Sequence, residues 1–296
     1  MISIAMATYN GERHLVEQIN SILNQSLHDI ELVVCDDCST DRTYELLCNF
    51  AKKDARVRIF RNEHNLGFKK NFEKAIELCS GEYIALSDQD DIWLPNHLEV
   101  LLDVLGDKML ACGNAILATE DGEGTGVLLS HQESLDWVPD NDLKKAMSIM
   151  LFRNPYQGAA MLFRRELVSI ACPIPDATGY HDKWLAMVAC MKGGMNYTFT
   201  PVLQYRRSQT SITDSRQKRK SKIQSFRFRF IHDDRLPIAQ ALLERVPGLG
   251  TSQRLFLKEM VNICNRNNDT IGRLKNSVYF LFHYKTIYSC DSLHWV

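Results

Sequence analysis

No apolar run in this sequence reaches the ~18 residues that a membrane-crossing helix needs, so no such helix is expected. No basic stretch leads into a long apolar core at the N-terminus, and Met1-Ile2-Ser3-Ile4-Ala5 reads as a strand rather than a secretory signal. Charge of one sign is also missing. The net charge of -1 excludes a generic binder of polyanions. Paired cysteine spacing is absent. The nine cysteines are odd in number and irregular in spacing, which predicts reduced thiols in a cytoplasm. Cys35-Asp36-Asp37-Cys38 is formally C-x-x-C, but no second pair accompanies it, so core packing and a small turn residue explain it better than redox or zinc chemistry. Neither G-x-G-x-x-G nor G-x-x-x-x-G-K-[ST] occurs after a strand, which argues against a dinucleotide fold and a P-loop.

What the sequence does contain is a repeated strand–helix pattern. Ile2 to Ala7 is short and apolar, fit for a buried parallel strand. Thr8-Tyr9-Asn10-Gly11 turns into a helix over 13–24, with Leu15, Ile19, Ile22 and Leu23 on one face. Ile30 to Cys35 is the second strand. Ser39 or Thr40 can cap the helix after it, which turns Leu46, Leu47 and Phe50 inward. Val57 to Phe60 is a third strand, with a loop to Gly67 and a helix over 68–79. Tyr83 to Leu86 is the fourth, and Pro95 opens a helix to about Leu105. Four such repeats imply an α/β fold with a parallel sheet covered on both faces.

The polar clusters all follow strands: Thr8-Tyr9-Asn10, Asp36-Asp37, Asn65-Leu66-Gly67 and Asp88-Gln89-Asp90. Ligands of open α/β sheets bind at those carboxyl ends. Asp88-Gln89-Asp90-Asp91 alone reads most simply as a solvated acidic turn. Asp-x-Asp at a strand end also suits a divalent metal on diphosphate oxygens, because Mg²⁺ and Mn²⁺ prefer hard oxygen ligands.

Downstream, strands are expected over Met109–Ala118, Gly158–Phe163 and 195–205. Glu120 to Gly126 reads as a flexible turn, 141–152 as helix, and Cys172-Pro173-Ile174-Pro175 as a stop. His181 and Asp182 fall at a helix N-terminus whose inward face is Trp184, Leu185 and Val188. Asp182 there is either a first-turn acid on the helix dipole or a general base at a cleft mouth. From Arg206 to Arg235 basic residues dominate, with Phe226, Phe228, Phe230 and Ile231 among them. That segment reads as a charged linker or as a surface for a diphosphate-lipid or anionic membrane face; no nucleic-acid reader motif accompanies it. Residues 236–290 are expected to be helical.

Thr8-Tyr9-Asn10, Asp36-Asp37-Cys38-Ser39, Asn65-Leu66-Gly67, Ser87-Asp88-Gln89-Asp90-Asp91-Ile92-Trp93 and His181-Asp182-Lys183-Trp184 together resemble the family 2 glycosyltransferases of GT-A fold, in particular rhamnosyltransferase-like and other bacterial polysaccharide-assembly members. The resemblance covers about residues 1–207. It implies a Rossmann-like, mostly parallel sheet flanked by helices over 1–207, and leaves 208–296 as a basic, aromatic, mainly helical C-terminal region.

By that resemblance the chain is an inverting transferase in surface polysaccharide synthesis (O-antigen or capsule), with a UDP- or dTDP-sugar donor, Mn²⁺ or Mg²⁺, and a lipid-diphosphate-linked glycan acceptor. It would be cytoplasmic, with peripheral contact at the inner membrane face and no nucleic-acid partner. Thr8, Tyr9 and Asn10 would line the nucleotide pocket. Asp36 or Asp37 would bind the base, and Asn65 and Gly67 would lie near base and ribose. Asp88 would contact ribose or metal shell, Asp90 would ligate the metal, and Asp182 would deprotonate the acceptor. Cys38 stands where many relatives carry Gly, and His181 where they often carry Glu. Relatives often have a His just after the closing Tyr-Arg; here Tyr205-Arg206-Arg207-Ser208-Gln209 follows, which leaves Arg206 or Arg207 to neutralise the diphosphate. The alternatives are a sugar nucleotidyltransferase, which would want a Gly-rich basic loop after the first strand, and a non-catalytic nucleotide-sugar-binding protein.

Overall fold

The computed structural model describes residues 1–132, 135, 138–151, 154–206 and 234–265. Its first strand, β1 (Ile2–Thr8), is buried almost throughout, and so is β2 (Ile30–Asp36). Runs apolar on both faces suit strands covered by helices on both sides. β3 (Val57–Arg61) and β4 (Tyr83–Ser87) complete a parallel set in the order β3-β2-β1-β4. The helices between them are α1 (Leu15–Leu23), α2 (Thr43–Lys53) and α3 (Phe68–Leu78). α1 buries Leu15, Ile19 and Ile22 together with Gln18, whose Nε2 donates to Ser87 Oγ at 2.8 Å. α2 begins later than a cap at Ser39 or Thr40 would place it. Asp41 Oδ1 accepts from Thr43 N at 2.9 Å instead, because Ser39 is turned toward Asp36. Leu47 is fully buried there, while Leu46 and Phe50 pack at the edge of the core.

Beyond β5 (Ile92–Trp93) and α4 (His97–Leu105) the sheet changes polarity. Its remaining strands are β6 (Leu110–Ala118), β7 (Gly124–Leu128), β8 (Met161–Arg164) and β9 (Met195–Arg206). β8 is antiparallel to both β4 and β6, while β9 runs parallel to β6 and carries β5 antiparallel on its outer side. The full order is β3-β2-β1-β4-β8-β6-β9-β5, with β7 paired to β6. Glu120–Gly126 is thus partly strand, and its hairpin tip is tied to the turn before α1 by ion pairs from Arg13 to Glu120 and Asp121. β6 and β9 approach closely at their register shift: a Cβ on Gly113 would lie 2.7 Å from Val202 Cγ2, so only glycine fits. Gly158–Ala160 forms a 3-10 turn rather than the start of a strand.

α5 (Leu129–Gln132), α6 (Asp142–Leu151) and α7 (Val168–Ala171) precede α8 (His181–Met191). Trp184, Leu185 and Val188 of α8 are fully buried, and Trp184 Nε1 donates to Ala171 O at 2.8 Å. Two helices, α9 (Arg235–Arg245) and α10 (Thr251–Asn265), lie within the region expected to be helical. Ile238, Leu242, Leu257, Met260 and Ile263 bring them into the common core. Arg207, the rest of the basic segment to Asp233 and the aromatic end beyond Asn265 lie outside the described residues. Among the described residues no helix is long and apolar enough to cross a membrane.

Candidate active site

Strand register brings the polar clusters to one edge. Thr8 lies opposite Asp36, Asp36 opposite Arg61, and Met6 opposite Ser87, so β1 to β4 end together. Thr8 is buried, and its hydroxyl lies 3.4 Å from Asp36 Oδ1. Tyr9 is exposed, and its backbone is gripped by one side-chain amide: Tyr9 N donates to Gln89 Oε1 at 2.8 Å, and Gln89 Nε2 donates to Tyr9 O at 3.1 Å. Gln89 thereby fastens the first turn to the acidic one. A Cβ on Gly11 would lie 2.3 Å from Gln89 Oε1, so the glycine makes room for this grip. Asn10 sits at φ +49°, in the left-handed region where Asn is among the better-tolerated residues. Its Oδ1 accepts from Thr40 N at 2.9 Å, and its N–H donates to Ser39 Oγ at 3.0 Å.

The two adjacent acids divide their work. Asp36 is fully buried, accepts from Ser39 N at 3.1 Å and from Ser39 Oγ at 2.5 Å, and forms an ion pair with the Arg61 guanidinium at 3.5 Å. Asp37 accepts from Asn62 Nδ2 and Leu66 N at 2.7 Å each and from Gly67 N at 2.9 Å. Asn65 Nδ2 reaches the Asp37 carbonyl at 3.3 Å. Asp37 is therefore the organiser of the Asn65-Leu66-Gly67 loop, and Gly67, at φ +81°, turns that loop into α3. Cys38 also has a positive φ, +63°, which is the backbone a glycine would adopt with less strain. Cys35, the other half of the C-x-x-C spacing, is buried and its thiol is pushed up to about 12 by burial, so it stays protonated and inert.

The acidic turn carries charge that the protein only partly offsets. Asp88 is raised to about 7, first by burial and then by the neighbouring Asp90 and Asp182 carboxylates. Asp90 is raised by burial, with His14 and Arg206 pulling the other way. Asp91 is wholly buried and raised well above the usual carboxylate range by burial and by Asp90 and Asp88. Its Oδ1 accepts from Arg206 N at 3.3 Å, while Oδ2 has no partner. Arg206 is 3% exposed and lies behind the turn. It donates to the Asp90 carbonyl at 2.9 Å and pairs with Glu17. Gly122 of the β6–β7 hairpin packs on it so closely that a Cβ there would meet Nη2 at 2.5 Å. In this position both terminal nitrogens of the guanidinium are engaged by protein groups, while the buried Nε has no partner.

Asp182 is the second residue of α8 and is raised to about 6 by burial. Lys183 N donates to its Oδ1 at 2.5 Å, and the Gly158 N–H also bonds its carboxylate. Its charge raises Asp88, so the two acids lie near one another. Lys183 itself is turned away, its Nζ 2.5 Å from Asp234 Oδ1 just ahead of α9.

Among the described residues no group of three or more His, Cys, Asp or Glu side chains stands ready-made around a single ion. The donor set nevertheless fits a hard divalent cation: Asp88 and Asp90 supply carboxylate oxygens, repel one another, and gain from a neighbouring positive charge. Gln89, His14, Gly158 and the inward use of Arg206 had no signal in the sequence, because each acts through partners distant along the chain or through its own backbone.

The carboxyl edge of the α/β sheet thus carries an acidic turn, and the Asp182 carboxylate lies near enough to it to raise Asp88. The family model described as Glycosyl transferase family 2 matches residues 3–184, and the chain belongs to this family. An uncharacterized glycosyltransferase of Haemophilus influenzae is 33% identical over 170 residues, 55% of this chain and 51% of that one. The putative teichuronic acid biosynthesis glycosyltransferase TuaG of Bacillus subtilis is 28% identical over 74% of this chain and 83% of its own length. The UDP-Glc:alpha-D-GlcNAc-diphosphoundecaprenol beta-1,3-glucosyltransferase WfgD of Escherichia coli is 36% identical over 36% of this chain and 41% of its own. The chain thus spans about half the length of the first of these relatives and less of the last.

Among solved structures, S. aureus TarS 1-349 in complex with UDP-GlcNAc superimposes with a TM-score of 0.62 at 17% identity, over 90% of this chain and 71% of that one. Mannosyltransferase PcManGT from Pyrobaculum calidifontis in complex with GDP-Man and Mn²⁺ gives 0.56 at 16% identity, over 98% and 88%. The fold is that of the GT-A glycosyltransferases.

Proposed function

We propose that this chain moves a sugar from a UDP- or dTDP-sugar to a hydroxyl of a lipid-diphosphate-linked glycan in surface polysaccharide synthesis, with inversion at the anomeric carbon. The observation that carries the reading is the nearness of Asp182 to the Asp88–Asp90 turn at the strand ends, where its charge raises Asp88. The names of TuaG and WfgD, a polysaccharide-assembly protein and an enzyme for a diphosphoundecaprenol-linked acceptor, support the acceptor class. TarS with UDP-GlcNAc supports the donor class. Family membership favours transfer over the nucleotidyltransferase alternative. We assign the transferase to residues 1–207, with 208–296 as an accessory region that meets the inner membrane face.

The chemistry is a single displacement. Asp182 takes the proton of the acceptor hydroxyl as its oxygen bonds to the anomeric carbon, and the bond to the nucleoside diphosphate breaks with its electron pair leaving on the phosphate. Two backbone N–H groups, of Lys183 and Gly158, orient the carboxylate for this. Asp90 and Asp88 would hold Mn²⁺ or Mg²⁺, which when bound supplies positive charge where the leaving group becomes more negative. Thr8, Tyr9, Asn10, Asn65 and Gly67 line the donor side. Asp37 shapes the base loop, and Asp36 fixes the turn beside it. Arg206 stabilises the acidic turn from behind; Arg207 is left to meet the diphosphate.

Asp182→Asn is expected to lower transfer by on the order of 10³-fold while leaving donor affinity within about twofold, because general-base catalysis is worth roughly 10²–10⁴-fold. The measurement is turnover of UDP- and dTDP-sugars with and without Mn²⁺, beside donor binding. Absence of binding and turnover with every donor would overturn the transferase reading.

A further inference from the structure

α8 opens with two titratable residues, His181 and Asp182. Asp182 lies near Asp88. The ring of His181 is only 8% exposed and stacks on Phe72 of α3, with 4.1 Å between centroids and 21° between planes. Phe68, in the first turn of α3, lies against the same ring at 6.2 Å. Neither ring nitrogen has a hydrogen-bond partner. A neutral imidazole keeps one donor and one acceptor, and leaving both unmet inside a protein is costly. Burial holds the ring neutral, its pKa lowered to about 3. Hydrogen bonding therefore does not explain the residue; its flat shape does.

On its other side the ring meets Gly158. A Cβ built there would lie 3.2 Å from His181 Nε2 and 3.5 Å from Asp182 Cβ. The same Gly158 gives its N–H to the Asp182 carboxylate. His181, Gly158 and Asp182 form one packed unit in which the ring, stacked on α3 by its face and meeting Gly158 at Nε2, spaces α3 from the carboxylate's neighbour.

α3 is the helix that begins at the donor loop. Gly67 N is held by Asp37 Oδ2 at 2.9 Å, and Phe68 follows it. Lys69 Nζ then donates to three successive elements of the approach to α8: the carbonyls of Pro175 at 3.3 Å, Asp176 at 2.5 Å and Thr178 at 2.9 Å. The start of α8 is thus held to α3 twice, by the ammonium at the loop and by the ring at the first residue.

We propose that His181 is a positioning residue: its ring, wedged between Phe72 and Gly158, sets the direction of the Asp182 carboxylate and ties it to the helix that carries the donor loop. The proposal rests on the reading of Asp182 as the base. It predicts that an aromatic ring without nitrogens serves and that an aliphatic chain does not.

The test compares His181→Phe, His181→Leu and His181→Ala with wild type and Asp182→Asn, reading kcat and donor KM for transfer and the melting temperature of each. Misplacement of a reacting group by about 1 Å costs on the order of 10²-fold. His181→Leu and His181→Ala are expected to lose about 10- to 100-fold in kcat with donor KM within about twofold, and His181→Phe to recover to within about threefold of wild type. If His181→Ala fails to fold, the Leu and Phe pair carries the comparison. Wild-type kcat in His181→Leu, or a folded His181→Phe as impaired as His181→Leu, overturns the positioning role while an inactive Asp182→Asn keeps the base reading. An active Asp182→Asn overturns the base reading itself.

Discussion

Asp88 shows at the level of one side chain how the acidic turn trades stability for charge. Its folded pKa, about 7, stands above the ordinary carboxylate value because of burial and the Asp90 and Asp182 charges. A raised carboxylate binds its proton more tightly in the folded chain, so stability from this group falls as pH rises from about 4 through about 7. His97 and His181, both held near 3 by burial, act in the opposite direction, but equally in wild type and variant. Asp88→Asn is therefore expected to stabilise the metal-free protein, and by more at pH 8 than at pH 5, as read by melting temperature at both values. A gain that shrinks with pH would contradict the charge argument.

Cys38 allows a second test at this scale. A left-handed residue with a Cβ costs about 1–2 kcal/mol, and the greater freedom of glycine in the unfolded chain returns about 0.4–1 of it. Cys38→Gly is expected to raise stability by roughly 0.5–1 kcal/mol in urea unfolding.

At the level of elements, the strand–helix repeats were legible because each strand is a short buried run and each helix has one apolar face. The candidate acids were legible for the same reason: Asp88 to Asp91 directly follow an apolar strand, and Asp182 opens a helix with Trp184, Leu185 and Val188 inside. The α2 start was misplaced by the sequence, since Ser39 serves Asp36 across the turn rather than the helix. What holds the acidic turn was not legible. Gln89 meets Tyr9 across 80 residues, and Arg206 meets Asp90 across 116, and no local pattern announces a partner that far away. The polarity change after β4 depends likewise on which strand inserts beside it.

β9 delivers Arg206 to that turn. Loss of the guanidinium leaves the Asp90 carbonyl without its donor and removes the positive charge beside the Asp90 carboxylate, but Glu17 is half exposed and solvent screens its share. Arg206→Gln is expected to cost about 2 kcal/mol in urea unfolding, below the ~3–5 kcal/mol of a fully buried pair.

Across the whole molecule, α9 and α10 belong to the same core as the transferase sheet rather than forming a free appendage. Leu242 is fully buried, and Arg245 reaches back to the Pro173 carbonyl. Leu242→Ala is expected to cost about 2–5 kcal/mol, the usual range for a buried leucine, and to lower the single cooperative transition of the chain rather than melt the helices alone. Separate transitions by near- and far-ultraviolet circular dichroism would show the C-terminal helices to be independent.

The antiparallel junction between β4 and β8 has a consequence for how such a chain can change over generations. Most of what is assigned to the donor precedes it, at the ends of β1 to β4, while Asp182 and Arg207 follow it. Many contacts cross it, among them the Tyr83–Arg164, Ile84–Phe163 and Ala85–Leu162 pairs, the pairing of β5 with β9, the stacking of His181 on Phe72, the grip of Lys69 on the loop before α8, and the return of Arg206 to the acidic turn. The two sides are thus fitted to one another along their length. A change of acceptor side by recombination near residue 106 would have to carry these matching pairs with it to seat on an old donor side.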